Sequence, residues 1–175
     1  MVVARLRGES EVEQAMGRVE VSAPETIHVD GEAVELTPVS VGNPHAVIKR
    51  LPDRAELIRL GPLVEHHERF AERTNVQLVS VDGDHDITVG VWERGAGETL
   101  SSGTSAVAAS AAAVANGWCE SPVTVHLAGG DLQRRVPVHQ ARRLAAQLED
   151  DGGEVRGGLL EHDLADPAAP GEEDQ

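Results

Sequence analysis

The 175-residue sequence is poor in the residue types that mark several common protein classes. Its one cysteine, Cys119, cannot form an internal disulfide or supply a cysteine cluster for a metal ion. The longest apolar run, residues 106–115, is mostly alanine and is far too short to span a bilayer. No basic and then apolar signal for secretion opens the chain. We therefore expect a soluble protein of the cytoplasm with no membrane role.

Basic residues are also scarce, with 15 Lys and Arg against 30 Asp and Glu and a formal net charge of −15. Lys49 is the only lysine. A surface of this sign repels phosphate and anionic lipid, so we expect no nucleic-acid partner and no binding to membrane surfaces.

The length allows one well-buried core but is short for two full-sized domains. We expect an N-terminal segment over residues 1–18, a folded lobe over residues 19–149 and an acidic tail over residues 150–175. The tail is rich in Gly, Pro, Asp and Glu, and its small apolar surface cannot offset the chain entropy lost on folding. We expect it to be disordered. Residues 134–148 fit either a strand or a helix.

Short runs with a β pattern recur through the lobe, separated by glycine, proline or aspartate. They predict a mostly β domain with strands near Val19–Val21, Val34–Val41, Ala46–Ile48, Val76–Val81, Ile87–Trp92 and Val123–Leu127.

Two helices interrupt this pattern. The first is expected over residues 53–67, where Leu57, Leu60 and Val64 recur at helical spacing, with a break or kink at Gly61-Pro62. The second should begin near residues 102–105 and end at Asn116-Gly117, between a polar N-terminal signal and a glycine stop. The side chains of its middle part are small and uncharged on every face, which predicts a helix enclosed by a curved sheet.

Three polar segments follow or open apolar strands. They are Gly42-Asn43-Pro44-His45, then Arg73-Thr74-Asn75-Val76, then the run from Trp92 to Thr104. Each is a weak signal by itself, but together they suit a small zwitterion. Arg94 can hold a carboxylate with its planar fork, while Glu93 and the amides of Asn43 and Asn75 can hold an ammonium group.

The start of the second helix adds an anion site to this set. The first N–H groups of a helix lack partners within the helix, and its dipole favours negative charge there, so the amides of Gly103, Thr104 and Ser105 can bind a carboxylate. Removing a proton beside that carboxylate builds negative charge that the same donors would stabilise. Ser102 lies directly before them, where a side chain that transfers a proton is needed.

The order of these motifs resembles the C-terminal half of diaminopimelate epimerase, over roughly Val19 to Gln133. The resemblance implies an α+β lobe, an antiparallel barrel-like sheet around a central helix, and a substrate cleft between two such lobes. Family members interconvert LL- and meso-diaminopimelate in lysine biosynthesis, without cofactor or metal, with one cysteine from each lobe.

By position, the resemblance implies roles for individual residues. Catalytic roles fall to Ser102, at the second catalytic cysteine, and to Glu93 and His45 in support of proton transfer. Substrate contacts fall to Asn43, Asn75, Glu93, Arg94, Gly103 and Thr104.

The sequence departs from the family's pattern in two ways. Ser102 replaces a thiol, and a serine hydroxyl is a much weaker acid than a thiol with a pKa near 8.5. Nothing in residues 1–42 resembles the Cys-Gly-Asn-Gly turn of the other lobe. We expect a fragment or a partial enzyme, with an N-terminal lobe as partner or with a homodimer as the assembly. Cys119 is no substitute, because about 17 residues of helix span roughly 25 Å.

Other interpretations stay open at this point. One is a non-catalytic domain, a remnant that only binds an amino acid. A metal site at His66-His67 is disfavoured because adjacent helical residues point about 100° apart. A serine hydrolase built on Ser102 and His45 lacks the Gly-x-Ser-x-Gly turn.

Overall fold

The computed structural model describes residues 3–7, 11–15 and 17–136. Near the start of the chain, β1 (Val3–Arg7) and β2 (Glu11–Ala15) form an antiparallel pair of their own. The proposed acidic tail lies outside the described residues, as does most of the stretch over 134–148.

Nine strands form the main sheet, in the order β11-β10-β8-β7-β6-β5-β3, with β4 paired to β5 and β9 paired to β8. Their bounds are Glu20–Val21 (β3), Glu25–Val29 (β4), Glu32–Ser40 (β5), Pro44–Lys49 (β6), Asn75–Gly83 (β7), Asp86–Glu93 (β8), Gly97–Thr99 (β9), Val123–Leu127 (β10) and Gly130–Arg134 (β11).

The predicted α+β class is confirmed, but the sheet is mixed. Most neighbouring strands are antiparallel, whereas β6 with β7 and β8 with β10 are parallel. Each parallel pair is joined through a helix, α1 (Arg54–Glu65) or α2 (Gly103–Ala115), which is the kind of crossover that parallel neighbours require. The sheet curls round α2, which contacts seven of its strands.

Helix α2 has the predicted limits. Ser102 is its N-cap, Asn116 its C-cap, and Gly117 follows with a positive φ of 67°. Most of its alanines are buried, because side chains this small let the surrounding strands approach closely. Cys119 lies in the same core and is buried, as expected for a packing residue.

Helix α1 is capped by Asp53, whose carboxylate accepts from the amides of Ala55 and Glu56. The helix runs without interruption through Pro62, so Gly61-Pro62 does not break it, while the alternative of a kink stays a prediction. Gly61 has a different reason to be there. A Cβ at this position would lie 2.5 Å from Cδ2 of Trp92, so the indole ring packs directly on the helix backbone.

The two helices bury opposite faces of the sheet. One core surrounds α2, and a second joins α1 to β4, β5, β6 and β7 through residues such as Leu60, Leu36 and Leu78. In the described part of the chain, no helix is long and apolar enough to cross a membrane.

Candidate functional site

The Gly-Asn-Pro-His segment forms the turn between β5 and β6. The Val41 amide donates to the Asn43 carbonyl at 3.2 Å, which closes the turn. His45 points into the protein, with 1% of its surface exposed, and its Nε2 lies 3.1 Å from Oδ1 of Asn43. Burial lowers the pKa of His45 to about 4, although a contact with Gln77 opposes the fall and the charge of Arg94 adds to it. His45 is therefore neutral at pH 7.

Asn75, in the second polar segment, bonds to the first and to the third. It pairs with His45 across β6 and β7, and its Nδ2 donates to the Pro44 carbonyl at 2.8 Å. Its Oδ1 accepts from the Arg94 amide at 3.0 Å. One N–H and one lone pair of the buried amide are then left for a ligand.

Glu93 ends β8, and the chain turns sharply after it. The Ala96 amide donates to the Glu93 carbonyl at 3.0 Å, and Gly95 takes a positive φ of 78° that suits glycine. The Arg94 side chain is exposed, and its Nη1 donates to the Glu72 carbonyl at 2.9 Å. This contact uses one of five guanidinium N–H groups and leaves the others for a carboxylate.

Ser102 lies at the start of α2, as the sequence predicts. Its Oγ is 3.5 Å from Oγ1 of Thr104 and accepts from the Ser105 amide at 3.4 Å. The expectation that the Ser105 amide is free for an anion is therefore wrong, because the cap uses it. The amides of Gly103 and Thr104 belong to the first helical turn and have no acceptor within the helix. That turn carries no acidic residue, so the positive end of the helix dipole is not neutralised from within the helix.

Sequence reasoning missed the residues that connect the strands to this helix start. Gln77 is fully buried on β7, and its Nε2 donates to Oγ of Ser105 at 3.1 Å. Gln77 follows Asn75 by two residues and therefore lies on the same face of the strand. A polar residue inside the apolar run of β7 was the available signal. These contacts form two separate polar groups, Asn43 with His45 and Gln77 with Ser105 and Ser102. Nδ1 of His45 and Oε1 of Gln77 are buried between them without a hydrogen-bond partner among the described residues.

The competing sites gain no support. His66 contacts the Pro62 carbonyl and His67 contacts the His28 carbonyl, so the two rings serve separate local bonds. Within residues 17–136, no group of three or more metal-binding side chains lies together. The His45 ring bonds to Asn43 and the Ser102 hydroxyl bonds to the Ser105 amide, which is not the serine–histidine contact of a hydrolase.

Comparison with known proteins identifies the family. The sequence model of the diaminopimelate epimerase family matches residues 37–148, which include every polar segment described above. The chain belongs to the diaminopimelate epimerase family. The match extends past Gln133, where the motif resemblance ends, and begins within β5 rather than at Val19.

Individual family members give the same result. The chain is 50% identical over 108 residues to diaminopimelate epimerase of Pseudomonas fluorescens and 48% identical over 108 residues to that of Stutzerimonas stutzeri strain A1501. It is 48% identical over 107 residues to the enzyme of Desulfitobacterium hafniense. These alignments cover 61% of this chain and 38 to 39% of the relatives, so the chain aligns with about two fifths of their length.

Proposed function

We propose that the chain provides one face of a diaminopimelate site and acts as a lobe of a diaminopimelate epimerase-type isomerase in lysine biosynthesis. The substrate contacts would come from Asn43, Asn75, Glu93, Arg94, Gly103 and Thr104. The reaction would use side chains and backbone amides only, with no cofactor or metal ion. A location in the cytoplasm, where the amino-acid precursors are made, belongs to the same proposal.

The observation that carries this proposal is the bonding of Asn75 to both neighbouring segments. Through Pro44 and Arg94 it fixes the Gly-Asn-Pro-His turn against the Glu-Arg turn. Arg94 then offers a planar cation for a carboxylate, and Glu93 offers an anion for an ammonium group. A zwitterion needs both charges within one small site.

The start of α2 would hold the carboxylate beside the reacting carbon. Proton removal there places negative charge on that carboxylate, and the amides of Gly103 and Thr104 are suited to stabilise it. Ser102 would stand where the proton is transferred. Because a serine hydroxyl is a far weaker acid than a thiol, we expect little or no epimerisation by this chain alone.

Calorimetric titration of diaminopimelate into the purified chain tests the proposal. We expect saturable binding that Arg94→Lys weakens by about tenfold, because lysine keeps the charge but loses the fork. Arg69→Lys is the matched control, since Arg69 is an exposed arginine paired with Glu25 away from these segments. Absence of binding at millimolar ligand would contradict the proposal.

The second candidate is a domain that binds an amino acid without catalysis. Ser102 favours it, because the hydroxyl serves as a helix cap in its present position. Exchange of the α-proton of diaminopimelate in heavy water separates the two candidates. Binding with no exchange, even when a second lobe and a cysteine at position 102 are supplied, supports the binding domain.

A further inference from the structure

Glu65 is a buried carboxylate with no role in the proposed reaction. It ends α1, where the helix dipole disfavours a negative charge, and only 3% of its side chain is exposed. Both conditions oppose ionisation. Specific partners must therefore compensate if the group is to remain charged.

The compensating donors come from the end of β8 and the turn that follows it. The Trp92 indole Nε1 donates to Oε2 of Glu65 at 2.7 Å, and the Gly95 amide donates to Oε1 at 2.8 Å. A guanidinium nitrogen of Arg73 lies 3.6 Å from the same Oε1. Although burial raises the pKa of Glu65, these hydrogen bonds and the charges of His66 and Arg73 lower it by more.

Gly61 completes the contact between α1 and Trp92. Gly61 and Glu65 are four residues apart and therefore lie on one face of the helix. The glycine leaves room for the ring, since a Cβ would lie 2.5 Å from Cδ2 and 2.6 Å from Cγ of Trp92. We call Gly61 and Glu65 the indole-contact pair, because the ring packs on Gly61 and its N–H donates to Glu65.

The indole-contact pair lies against the segment that is proposed to bind the substrate. Two successive amides of the turn are held by side chains from different elements, Arg94 by Asn75 of β7 and Gly95 by Glu65 of α1. The backbone that carries Glu93 and Arg94 is thereby fixed from two directions. A shift of about 1 Å in such a segment is enough to impair binding and reaction.

We propose that Glu65 is a positioning residue, which fixes the Glu93-Arg94-Gly95 turn for the substrate by accepting from the Gly95 amide and the Trp92 indole. This inference rests on the proposed diaminopimelate site for its functional meaning. The placement of the turn by Glu65 can be tested without the substrate.

Glu65→Gln is the principal test, because it keeps the shape but leaves one of the two donors facing an amide N–H₂. We expect the NMR signals of the Gly95 amide and the Trp92 indole to move, and diaminopimelate affinity to fall about tenfold. Glu68→Gln, an exposed glutamate in the next turn, should change neither signals nor affinity. A Trp118→Phe background leaves one indole signal to follow.

Trp92→Phe supplies a second variant in case Glu65→Gln does not fold. It keeps Glu65 and its Gly95 bond but removes the indole donor, and we expect the Gly95 signal to move and affinity to fall several-fold. Unchanged Gly95 signals and unchanged affinity in a folded variant would overturn the positioning role. If the unaltered chain binds no diaminopimelate, the proposed function fails, while the Gly95 and Trp92 signals still decide whether Glu65 holds the turn.

Discussion

Ser102 combines two properties that separate readily in an experiment. As the N-cap of α2 it accepts from the Ser105 amide, a structural task that serine performs well. In the role that the motif resemblance assigns to position 102, that of the second catalytic cysteine, serine lacks a thiol that ionises readily. The helix start and the residue that uses it can therefore be tested independently.

We predict that Ser102→Cys creates a thiol with a pKa below the ordinary value near 8.5, because the first helical amides and the helix dipole favour the thiolate. The rate of thiol alkylation against pH measures it. Cys119 is the internal control, since burial raises the pKa of its thiol to about 11. A new thiol that titrates at or above the ordinary value near 8.5 would show that the start of α2 is not an anion site.

His45 gives a prediction for stability against pH. Its folded-state pKa of about 4 lies below the usual 6.5, so the unfolded chain takes up a proton that the folded chain does not bind. The stabilising contribution is complete above pH 6.5 and is lost as the pH falls towards 4, by up to about 3 kcal/mol.

Denaturant unfolding of the unaltered chain and His45→Gln over this pH range measures the effect. The variant should lack this part of the acid slope. His126→Gln is the control, because hydrogen bonds that the ring donates to Asp131 and Asp86 raise the pKa of the partly exposed His126 and reverse the sign of its contribution. Parallel slopes for the unaltered chain and His45→Gln would refute the assignment.

At the scale of elements, α2 was predictable because its composition favours a single environment, a helix enclosed by other backbone. Small, uncharged side chains on every face of a helix favour enclosure by other elements. The polar N-cap and the glycine after the helix mark its two ends. The strands at β6, β7 and β8 were equally clear, since apolar runs bounded by turn residues define them. The polar segments at their ends were found for the same reason.

Other elements carried weaker or misleading signals. The strands β4, β9 and β11 are short, and exposed polar residues hide their alternation. Gly61-Pro62 indicates a helix break in sequence, but the glycine is explained by a ring that comes from β8. The contact of Gln77 with Ser105 joins residues 28 positions apart. The polar residue inside an apolar run marks Gln77 as unusual, but no local pattern identifies Ser105 as its partner.

The enclosure of α2 predicts an asymmetric response to larger side chains. Ala109→Leu should lower the free energy of unfolding by about 1 to 3 kcal/mol, because a fully buried alanine has no space beside it. Ala115→Leu, near the helix end and only partly buried, should change stability by less. Chemical denaturation of both variants compares them. Equal effects would mean that the sheet does not confine the middle of the helix.

At the scale of the whole molecule, 61% of the chain aligns with about two fifths of the length of its relatives. In the proposed arrangement of two lobes around a cleft, the surface that faces the other lobe is uncovered when this chain is by itself. Leu100, two residues before Ser102, is 66% exposed, which places an apolar side chain beside the proposed site. An exposed apolar group at that place suits contact with another lobe.

We predict concentration-dependent self-association through this surface, measurable by sedimentation. Leu100→Ser should weaken it, because the substitution removes apolar area from the contact. Leu51→Ser is the matched control, since Leu51 is 70% exposed but lies before α1 instead of before α2. A monomer at all concentrations, or equal effects of the two substitutions, would contradict self-association through the surface that contains Leu100.

Exchange of the α-proton of diaminopimelate in heavy water is the most direct test of the proposal that this chain provides one face of a diaminopimelate site. Inversion by two bases needs a group on each face of the substrate carbon, so the Ser102→Cys chain and a separately produced N-terminal lobe of a relative should act only together. We predict exchange with this pair, and none with either component or with the unaltered Ser102 chain plus the same lobe. Exchange by the unaltered chain alone, or none with the pair once their association is demonstrated, would contradict the assignment of Ser102 and the start of α2.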